Sequence, residues 1–270
     1  MATDDVFRSR YGPVALVAGA AIGLGAEYAR QLADVGLDLL LLDRDGDALA
    51  RTAAALRSDG RIRVDTIVAD LGSAELIEQV APATRDREIG LLVYNAAIGT
   101  VAPFLEISAA HASTMLDVNC RGPVLLVRAL APAMVARGRG GIILMSSMSA
   151  NFGSAQLAVY AGSKAFDLVF AEALWAELRP QGVDVLAVQP GSTRTPGWQS
   201  SQPEELRGPG PHVMEVEPVV REALVTLGIE PTLIPGAQNR EAATGLAALS
   251  RRQAIELMSK LTRRLLPNHR

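Results

Sequence analysis

Several residue types are scarce in this 270-residue chain, and each scarcity excludes a class of protein. The single cysteine, Cys120, excludes an internal disulfide framework and fits a reducing compartment. The three histidines and the cysteine form no cluster at the spacing of zinc ligands, so we predict no metal site. The formal net charge is only −3, which argues against nucleic acid as a partner.

Long apolar runs are also scarce. No run of about 18 apolar residues occurs, so we predict no transmembrane helix. The N-terminal stretch MATDDVFRSR carries two acids and no apolar core, which is unlike a signal peptide. We therefore expect a cytoplasmic protein. Because 49% of the residues are hydrophobic and no linker interrupts the chain, we predict one domain over residues 1–270.

Lysine is the rarest basic residue. Of the 26 lysines and arginines, only Lys164 and Lys260 are lysines. A chain that uses arginine for generic positive charge keeps lysine for something a planar guanidinium cannot do. Tyr160 precedes Lys164 by four residues, and the sequence from there to Pro180 predicts a helix. The tyrosine and the lysine would then share one face of that helix.

This pairing has a chemical use. A phenol ordinarily ionises near pH ~10, and a cation within a few Å favours the phenolate. Tyr160 could therefore act as a general acid and base nearer neutral pH. Ser147 lies thirteen residues earlier, after a predicted strand. The alternative is a packed tyrosine followed by a solvated helix lysine.

A glycine turn follows the first predicted strand, Val14–Ala18. Gly19, Gly23 and Gly25 come next, and residues 26–35 have helical periodicity that ends at Gly36. A strand, a glycine turn and a helix form the setting in which backbone N–H groups bind a pyrophosphate. The spacing is GxxxGxG, which departs from the general GxGxxG fingerprint.

The second predicted strand, 37–42, ends at Asp43. This carboxylate lies 18 residues after Gly25, where the acid that binds an adenosine ribose diol is expected. It would repel a 2′-phosphate, so we predict NAD rather than NADP. Arg44 is the complication, because a guanidinium there could hold a 2′-phosphate. Asp43 could instead be a turn residue or a helix N-cap.

Further apolar strands are predicted at 62–69, 90–94, 141–145 and 183–188, with a short seventh strand at 233–235. They end at polar or small residues, namely Asp70, Asn95, Ser147 and Pro190. One long helix is predicted over 108–137, interrupted near Gly122 and Pro123. It holds Asn119, whose amide could bond its own helix backbone or serve a site. Strands without alternation, separated by helices, predict a Rossmann-type doubly wound seven-stranded parallel sheet with helices on both faces.

Several motifs resemble one family. AGAAIGLG is similar to the TGxxxGxG motif of the classical short-chain dehydrogenase/reductase family, YNAA to its NNAG, and PGSTRT to the segment after strand six. The resemblance covers Pro13 to about Gly236. Asn119, Ser147, Tyr160 and Lys164 fall where this family has its catalytic tetrad. The chain departs from the family motifs at Ala18, Tyr94 and Ala97, and none of these removes a catalytic group.

The resemblance implies hydride transfer between a nicotinamide and a secondary alcohol or ketone. Tyr160 would move the proton, Ser147 would polarise the substrate oxygen, Lys164 would bind the ribose and Asn119 would anchor a water. The implied cofactor contacts, besides Tyr160 and Lys164, are Gly19, Ala21, Ile22, Gly23, Leu24, Asp43, Arg44, Asp70, Leu71, Asn95, Ala96, Ala97, Pro190, Gly191, Thr193 and Thr195. A homo-oligomer, a dimer or a tetramer, is also implied.

Four further segments resemble those of a narrower group of enzymes. RYGPVALVAGA, SSMSA, YAGSKAF and LIPGAQNR are similar to segments of bacterial hydroxysteroid dehydrogenases of the 7β type, which implies a bulky hydrophobic alcohol. The alternatives are an NADPH-dependent reductase of smaller aryl or acyl ketones and a non-catalytic dinucleotide sensor. An extended-family epimerase or dehydratase would need a larger C-terminal domain.

Two segments near the C-terminus have distinct compositions. Residues 196–216 are rich in Gly, Pro and Ser around Trp198, and we predict a mobile substrate lid, with a solvent loop as the alternative. Residues 241–266 are predicted to form a basic amphipathic helix. Such a helix could lie on a membrane surface, dock on an acidic neighbouring subunit or cover the core of its own chain. We favour contact with a second subunit or packing against the lid.

Overall fold

A computed structural model describes residues 2–58, 60–201 and 213–263. In this part of the chain the strands are β1 (Val14–Ala18), β2 (Asp38–Asp43), β3 (Val64–Val68), β4 (Ile89–Tyr94), β5 (Gly140–Met145), β6 (Val183–Val188) and β7 (Thr232–Leu233). The helices are α1 (Ala2–Tyr11), α2 (Gly23–Val35), α3 (Gly46–Arg57), α4 (Leu76–Thr84), α5 (Ala109–Leu116), α6 (Gly122–Arg137), α7 (Ala158–Leu178), α8 (Pro196–Ser201), α9 (Val216–Thr226), α10 (Ala237–Ala247) and α11 (Arg251–Arg263).

The strands form one parallel sheet in the order β3-β2-β1-β4-β5-β6-β7. Every residue of β1, β4, β5 and β6 is buried, because helices cover both faces and leave two apolar cores, one on each side. The predicted doubly wound sheet is confirmed. Since the order reverses between β1 and β4, the crevice at their carboxyl ends is where a ligand is expected.

The amino ends of the strands are closed by α1. The hydroxyl of Tyr11 donates to Oδ2 of Asp184 at 2.7 Å, and Arg10 binds the same carboxylate through Nε at 2.6 Å and Nη2 at 2.8 Å. Burial and this hydrogen bond raise the pKa of Tyr11 well above its usual range. The polar contacts therefore fasten α1 at the edge of the sheet opposite the crevice.

The long helix over 108–137 is interrupted earlier than predicted. A five-residue π-turn, Asp117–Arg121, joins α5 to α6, whereas Gly122 and Pro123 lie in regular helix. Proline has no N–H, and its ring would clash with the carbonyl four residues before it, which belongs to Asn119. The wider turn relieves this clash and places Asn119 in the widened segment.

This helix also bears on membrane contact. Residues Ala109–Arg137 are long and apolar enough to span a membrane by length and composition alone. Half of the stretch that meets this test is buried inside the fold, and α6 packs against β4 and β5. The core helix of a soluble protein passes the same test, so the helix is weak evidence for a span.

The segment predicted as a lid is not a loop throughout. Its first residues form α8, and α9 begins at Val216, so the alternative of a solvent loop is wrong at both ends, whereas the lid stays a prediction. Residues 202–212 lie outside the described part of the chain. Between the two helices, Met214 forms a β-bridge to Thr193. The seventh strand begins at Thr232 and is only two residues long, so its predicted end at 235 was also wrong.

The C-terminal segment forms two described helices, α10 and α11, where one was predicted. The break follows from a capping box at Ser250 and Gln253. Ser250 Oγ accepts from the Gln253 N–H at 3.3 Å, and Gln253 Oε1 accepts from the Ser250 N–H at 3.0 Å. This reciprocal pair of hydrogen bonds starts a new helix inside the segment that was predicted to be a single helix. Residues 264–266 of the predicted helix lie outside the described residues.

Candidate active site

The glycine turn lies where β1 ends at the crevice. Gly19 has φ +82° and Gly23 has φ +61°, both in the left-handed region that favours glycine. The turn leads into α2, which begins at Gly23 rather than at Ala26 as predicted. The N-cap residue of α2 is Ile22, whose hydrocarbon side chain cannot accept hydrogen bonds from the first N–H groups of the helix. Those donors, with the positive end of the helix dipole, are left for an anion.

Space in the turn is fixed by backbone contacts. A Cβ on Gly25 would lie 1.8 Å from the carbonyl oxygen of Gly19, and a Cβ on Gly19 would lie 2.6 Å from the Ala96 nitrogen. Asn95 Nδ2 donates to the Gly19 carbonyl at 2.9 Å. The turn is thus held open by the residues that follow β4, with uncapped N–H groups beside it. These residues fit the pyrophosphate of a dinucleotide.

Asp43 lies at the end of β2 beside this turn. Its Oδ2 accepts from the Ala21 N–H at 3.0 Å and its Oδ1 from the Asp45 N–H at 3.1 Å, while Asp45 itself caps α3. Asp43 is therefore a turn residue, as the alternative held. Each oxygen keeps a lone pair that could accept from a ribose hydroxyl. Arg44 is exposed and makes no ion pair within the described residues.

The other predicted cofactor contacts that follow β3 and β4 differ in exposure. Asp70 Oδ1 accepts from the Gly72 N–H at 2.8 Å, so this exposed carboxylate shapes the turn after β3. Leu71 is buried in the core, and Ala97 is exposed at the crevice. Tyr94, which replaces a family asparagine, is buried and donates to the Val118 carbonyl at 2.6 Å. Tyr94 thus supports the π-turn that carries Asn119.

Ser147 follows β5 in extended backbone. Its Oγ accepts from the Ser149 N–H at 3.2 Å, which caps a short 3₁₀ turn at 148–150. A serine hydroxyl has one donor and two acceptor positions. One acceptor position is used, and within the described residues the O–H has no acceptor. Ser147 can therefore donate to a substrate oxygen.

Asn119 joins β4 to α7. Its Oδ1 accepts from the Ile98 N–H at 2.8 Å, and its Nδ2 donates to the Ile98 carbonyl at 3.0 Å and to Ser163 Oγ at 2.9 Å. Ser163 in turn donates to the Tyr160 carbonyl at 2.8 Å. The alternative of a side chain bonding its own helix is wrong. Asn119 instead fixes the start of α7, where Tyr160 lies.

Tyr160 and Lys164 lie one turn apart on α7 but differ in exposure. The half-buried ring of Tyr160 faces Gly99, where an added Cβ would lie 3.4 Å from Cε2. Lys164 is only 2% exposed. Its Nζ donates to the Met145 carbonyl at 2.7 Å and to Asp167 Oδ2 at 2.9 Å.

The segment after β6 returns to the glycine turn. A Cβ on Gly23 would lie 3.1 Å from the Thr195 methyl group, so Thr195 lies beside the α2 N-terminus. Thr195 Oγ1 accepts from the Trp198 N–H at 3.1 Å, a hydrogen bond that caps the first turn of α8. Thr193 is buried, and the Pro190 carbonyl accepts from the Met148 N–H at 3.1 Å. Gly191 packs on Asn239. The structure thus brings the predicted residues after β6 to the same crevice.

Helix α11 packs on the segment between Ser147 and Tyr160. Thr262 Oγ1 lies 2.7 Å from Ser154 Oγ, and Ser259 Oγ accepts from the Ala155 N–H at 3.0 Å. The next residue, Gln156, has φ +69° and a buried Oε1 with no described partner. These contacts place α11 on its own chain, beside the site.

Three residues that position the site were missed from the sequence. Asp167 pairs with Lys164, Ser163 links Asn119 to Tyr160, and Gln156 has strained backbone just before α7. Only Asp167 had a usable signal. It is an acid three residues after Lys164, in the otherwise apolar stretch AFDLVF.

Comparison with known proteins agrees with this geometry. The family model for the short chain dehydrogenases matches residues 13–206. A 7beta-hydroxysteroid dehydrogenase of Clostridium sardiniense is 28% identical over 255 residues, which cover 94% of this chain and 97% of the relative. A solved structure from a study of 7beta-hydroxysteroid dehydrogenase stereoselectivity superposes with TM-score 0.86 at 26% identity, covering 93% of this chain and 98% of the other.

A short-chain dehydrogenase from Sphingobium yanoikuyae, solved in complex with NADPH, has TM-score 0.76 at 30% identity and covers 91% of this chain and 100% of its own. The chain belongs to the short-chain dehydrogenase family. It is an oxidoreductase that uses a nicotinamide cofactor on alcohol or ketone substrates.

Gly25→Ala tests the tightness of the glycine turn. Because the new Cβ would overlap the Gly19 carbonyl, we expect a loss of about 1–3 kcal/mol in unfolding free energy. We also expect NADH binding, followed by its fluorescence, to weaken about tenfold, which corresponds to ~1.4 kcal/mol.

Gly245→Ala is the matched control in a helix. Nothing lies within 4 Å of a Cβ at Gly245, so this change should raise stability by about 0.4–1 kcal/mol and leave NADH binding unchanged. Equal effects of the two substitutions on NADH binding would contradict the interpretation of the turn.

Proposed function

We propose that the protein transfers a hydride between NAD and a bulky, hydrophobic secondary alcohol or the matching ketone. The observation that carries this is a shared position at the carboxyl ends of the parallel strands. The glycine turn follows β1, Ser147 and the Lys164 Nζ lie at the end of β5, and Tyr160 faces Gly99 in the loop after β4. A bound nicotinamide supplies the hydride acceptor or donor.

The chain's own residues would handle the proton. In oxidation, Tyr160 Oη accepts the proton of the substrate hydroxyl, and in reduction it returns one. Ser147 donates to the substrate oxygen and holds it beside Tyr160. The Lys164 ammonium favours the tyrosinate and binds a ribose hydroxyl. Asn119 fixes the start of α7 through Ile98 and Ser163.

Exposed apolar side chains beside the crevice support a bulky hydrophobic substrate. The Ala102 N–H donates to the Gln156 carbonyl at 2.9 Å, which joins the loop after β4 to the segment before Tyr160. Phe104 and Leu105, two and three residues after Ala102, are 58% and 94% exposed. Similarity to a 7beta-hydroxysteroid dehydrogenase supports the same substrate class.

Oxidation of a panel of secondary alcohols tests the reaction. We expect NAD reduction with steroids or bile acids to exceed that with aryl carbinols and acyl-chain alcohols. Tyr160→Phe should lower kcat by about 10²–10⁴, because the proton acceptor is lost, while NADH binding is unchanged.

Tyr28→Phe is the matched control, since the buried Tyr28 hydroxyl contacts only Met145 Sδ within the described residues, at 3.3 Å. It should keep full turnover. Full turnover by Tyr160→Phe would refute the assignment of the proton carrier. Absence of activity with NAD and NADP across the panel would refute the function.

Asp43 supports the choice of NAD, although Arg44 could favour NADP. A carboxylate at the end of β2 would repel a 2′-phosphate. We expect Asp43→Ser to raise the ratio of kcat/KM for NADPH to that for NADH about tenfold on one ketone, a change of ~1.4 kcal/mol.

Asp45→Ser removes the same charge two residues away and keeps a side chain able to cap α3. It should leave the ratio nearly unchanged. A tenfold preference of the unsubstituted protein for NADPH would overturn the proposal of NAD.

We also propose that the protein forms a homodimer or homotetramer through α7. Phe166 and Val169 lie on one face of this helix and are 40% and 62% exposed, and Leu116 at the end of the adjoining α5 is 47% exposed. A second copy of the chain would cover these apolar groups.

Light scattering at micromolar concentration checks the assembly. We expect a dimer or tetramer that Val169→Asp shifts to a smaller species, because a charge would be buried in the interface. Val225→Asp introduces the same charge at a 68% exposed position on α9 and should change nothing. A monomeric unsubstituted protein would contradict the proposal.

A further inference from the structure

Lys164 and Asp167 form an ion pair inside the fold. Their side chains are 3% and 4% exposed, and Nζ lies 2.9 Å from Oδ2. Asp167 takes no direct part in the proton and hydride chemistry described above. It lies three residues after Lys164, so α7 itself brings the two charges together.

The second oxygen of Asp167 has no partner. Oδ1 is buried and makes no hydrogen bond within the described residues. Burial raises the pKa of Asp167, and Lys164 is the single group among the described residues that lowers it. An apolar residue would fit this part of α7 at lower cost than a buried, half-satisfied carboxylate.

Other titratable groups face the pair from neighbouring elements. Besides burial, the negative charge of Asp167 contributes to raising the pKa values of Tyr94 on β4 and of Cys120 on the π-turn. Burial, with Asp167 as a smaller cause, raises the pKa of Cys120 to about 11, and burial likewise raises the pKa of Tyr94. Both groups are therefore neutral near pH 7. Neither supplies a second counter-ion for Lys164.

A buried lysine without a negative partner tends to lose its proton, because burial disfavours the charged form. Lys164 has three N–H donors. Two of them bind the Met145 carbonyl and Asp167, and within the described residues the third has no acceptor. That third N–H is the one available to a ribose hydroxyl.

We propose that Asp167 is a positioning residue that keeps the buried Lys164 protonated and holds its Nζ at the end of β5, leaving one N–H for the cofactor. The effect on the cofactor rests on the proposed function, whereas the effect on the charge of Lys164 does not. Asp167 acts through Lys164 and touches neither substrate nor cofactor.

The scarcity of lysine allows a direct measurement. Protein labelled with ¹³C at lysine Cε gives two signals, from Lys164 and from exposed Lys260, and Lys260→Arg assigns them. We expect Asp167→Asn to lower the pH at which the Lys164 signal titrates by at least about one unit. The Lys260 signal should not move.

Cofactor binding gives a second readout. For Asp167→Asn we expect the NADH dissociation constant to match that of the unsubstituted protein at low pH and to weaken about tenfold at alkaline pH, where Lys164 has lost its proton. The rate should fall over the same pH range. A merely structural role would lower binding and rate equally at all pH values.

Glu172→Gln is the matched control, because it removes an exposed carboxylate from the same helix. It should leave the Lys164 signal and NADH binding unchanged. Asp167→Glu keeps the negative charge and should restore the Lys164 titration. Unaltered titration of Lys164 in Asp167→Asn overturns the proposal, whatever the activity.

If Asp167→Asn does not fold, the unsubstituted protein still decides. The Lys164 signal should then remain in its charged position when Lys260 begins to lose its proton, and earlier titration of Lys164 would overturn the proposal. Absence of nicotinamide-dependent activity would refute the proposed function and leave this titration result standing.

Discussion

The crevice depends on one close approach of two backbone segments. The turn after β1 lies directly against the chain leaving β4, where the N–H groups of Asn95 and Ala96 both donate to the Ala18 carbonyl. Glycine at position 19 makes this possible, because a Cβ would overlap Ala96. The order of the sheet reverses here, so the anion-binding end of α2 and the residues that follow β4 face the same space.

The residues proposed for proton transfer are fixed to this crevice by contacts between distant segments. Ile98 follows β4, Asn119 lies in the π-turn and Ser163 on α7, and hydrogen bonds join them in that order. Lys164 is bonded to the end of β5 through the Met145 carbonyl. A displacement of α7 would break bonds to both the π-turn and the end of β5, so the position of Tyr160 is fixed from two sides.

Features set by the spacing of residues along the chain were predictable from the sequence. Features that depend on how deeply a side chain is buried were not. The strands, the glycine turn and the shared helix face of Tyr160 and Lys164 follow from spacing along the chain. Spacing does not say whether a helical acid is solvated, and an acid one turn from a lysine is usually a surface pair. The role of Asp167 was therefore missed. Helical spacing also hid the break before α11, because the capping residues at 250 and 253 are polar residues within an apparently continuous stripe.

The docking of α11 has a consequence for the order in which parts of the chain fold during synthesis. The loop just before Tyr160 donates a hydrogen bond to Ser259 Oγ and shares one between the Ser154 and Thr262 hydroxyls, about a hundred residues downstream. During synthesis the sheet can assemble while these residues are still inside the ribosome. The wall of the site beside Tyr160 is completed only after Thr262 has emerged. A nascent chain that already has its nucleotide crevice therefore still lacks the finished loop before Tyr160.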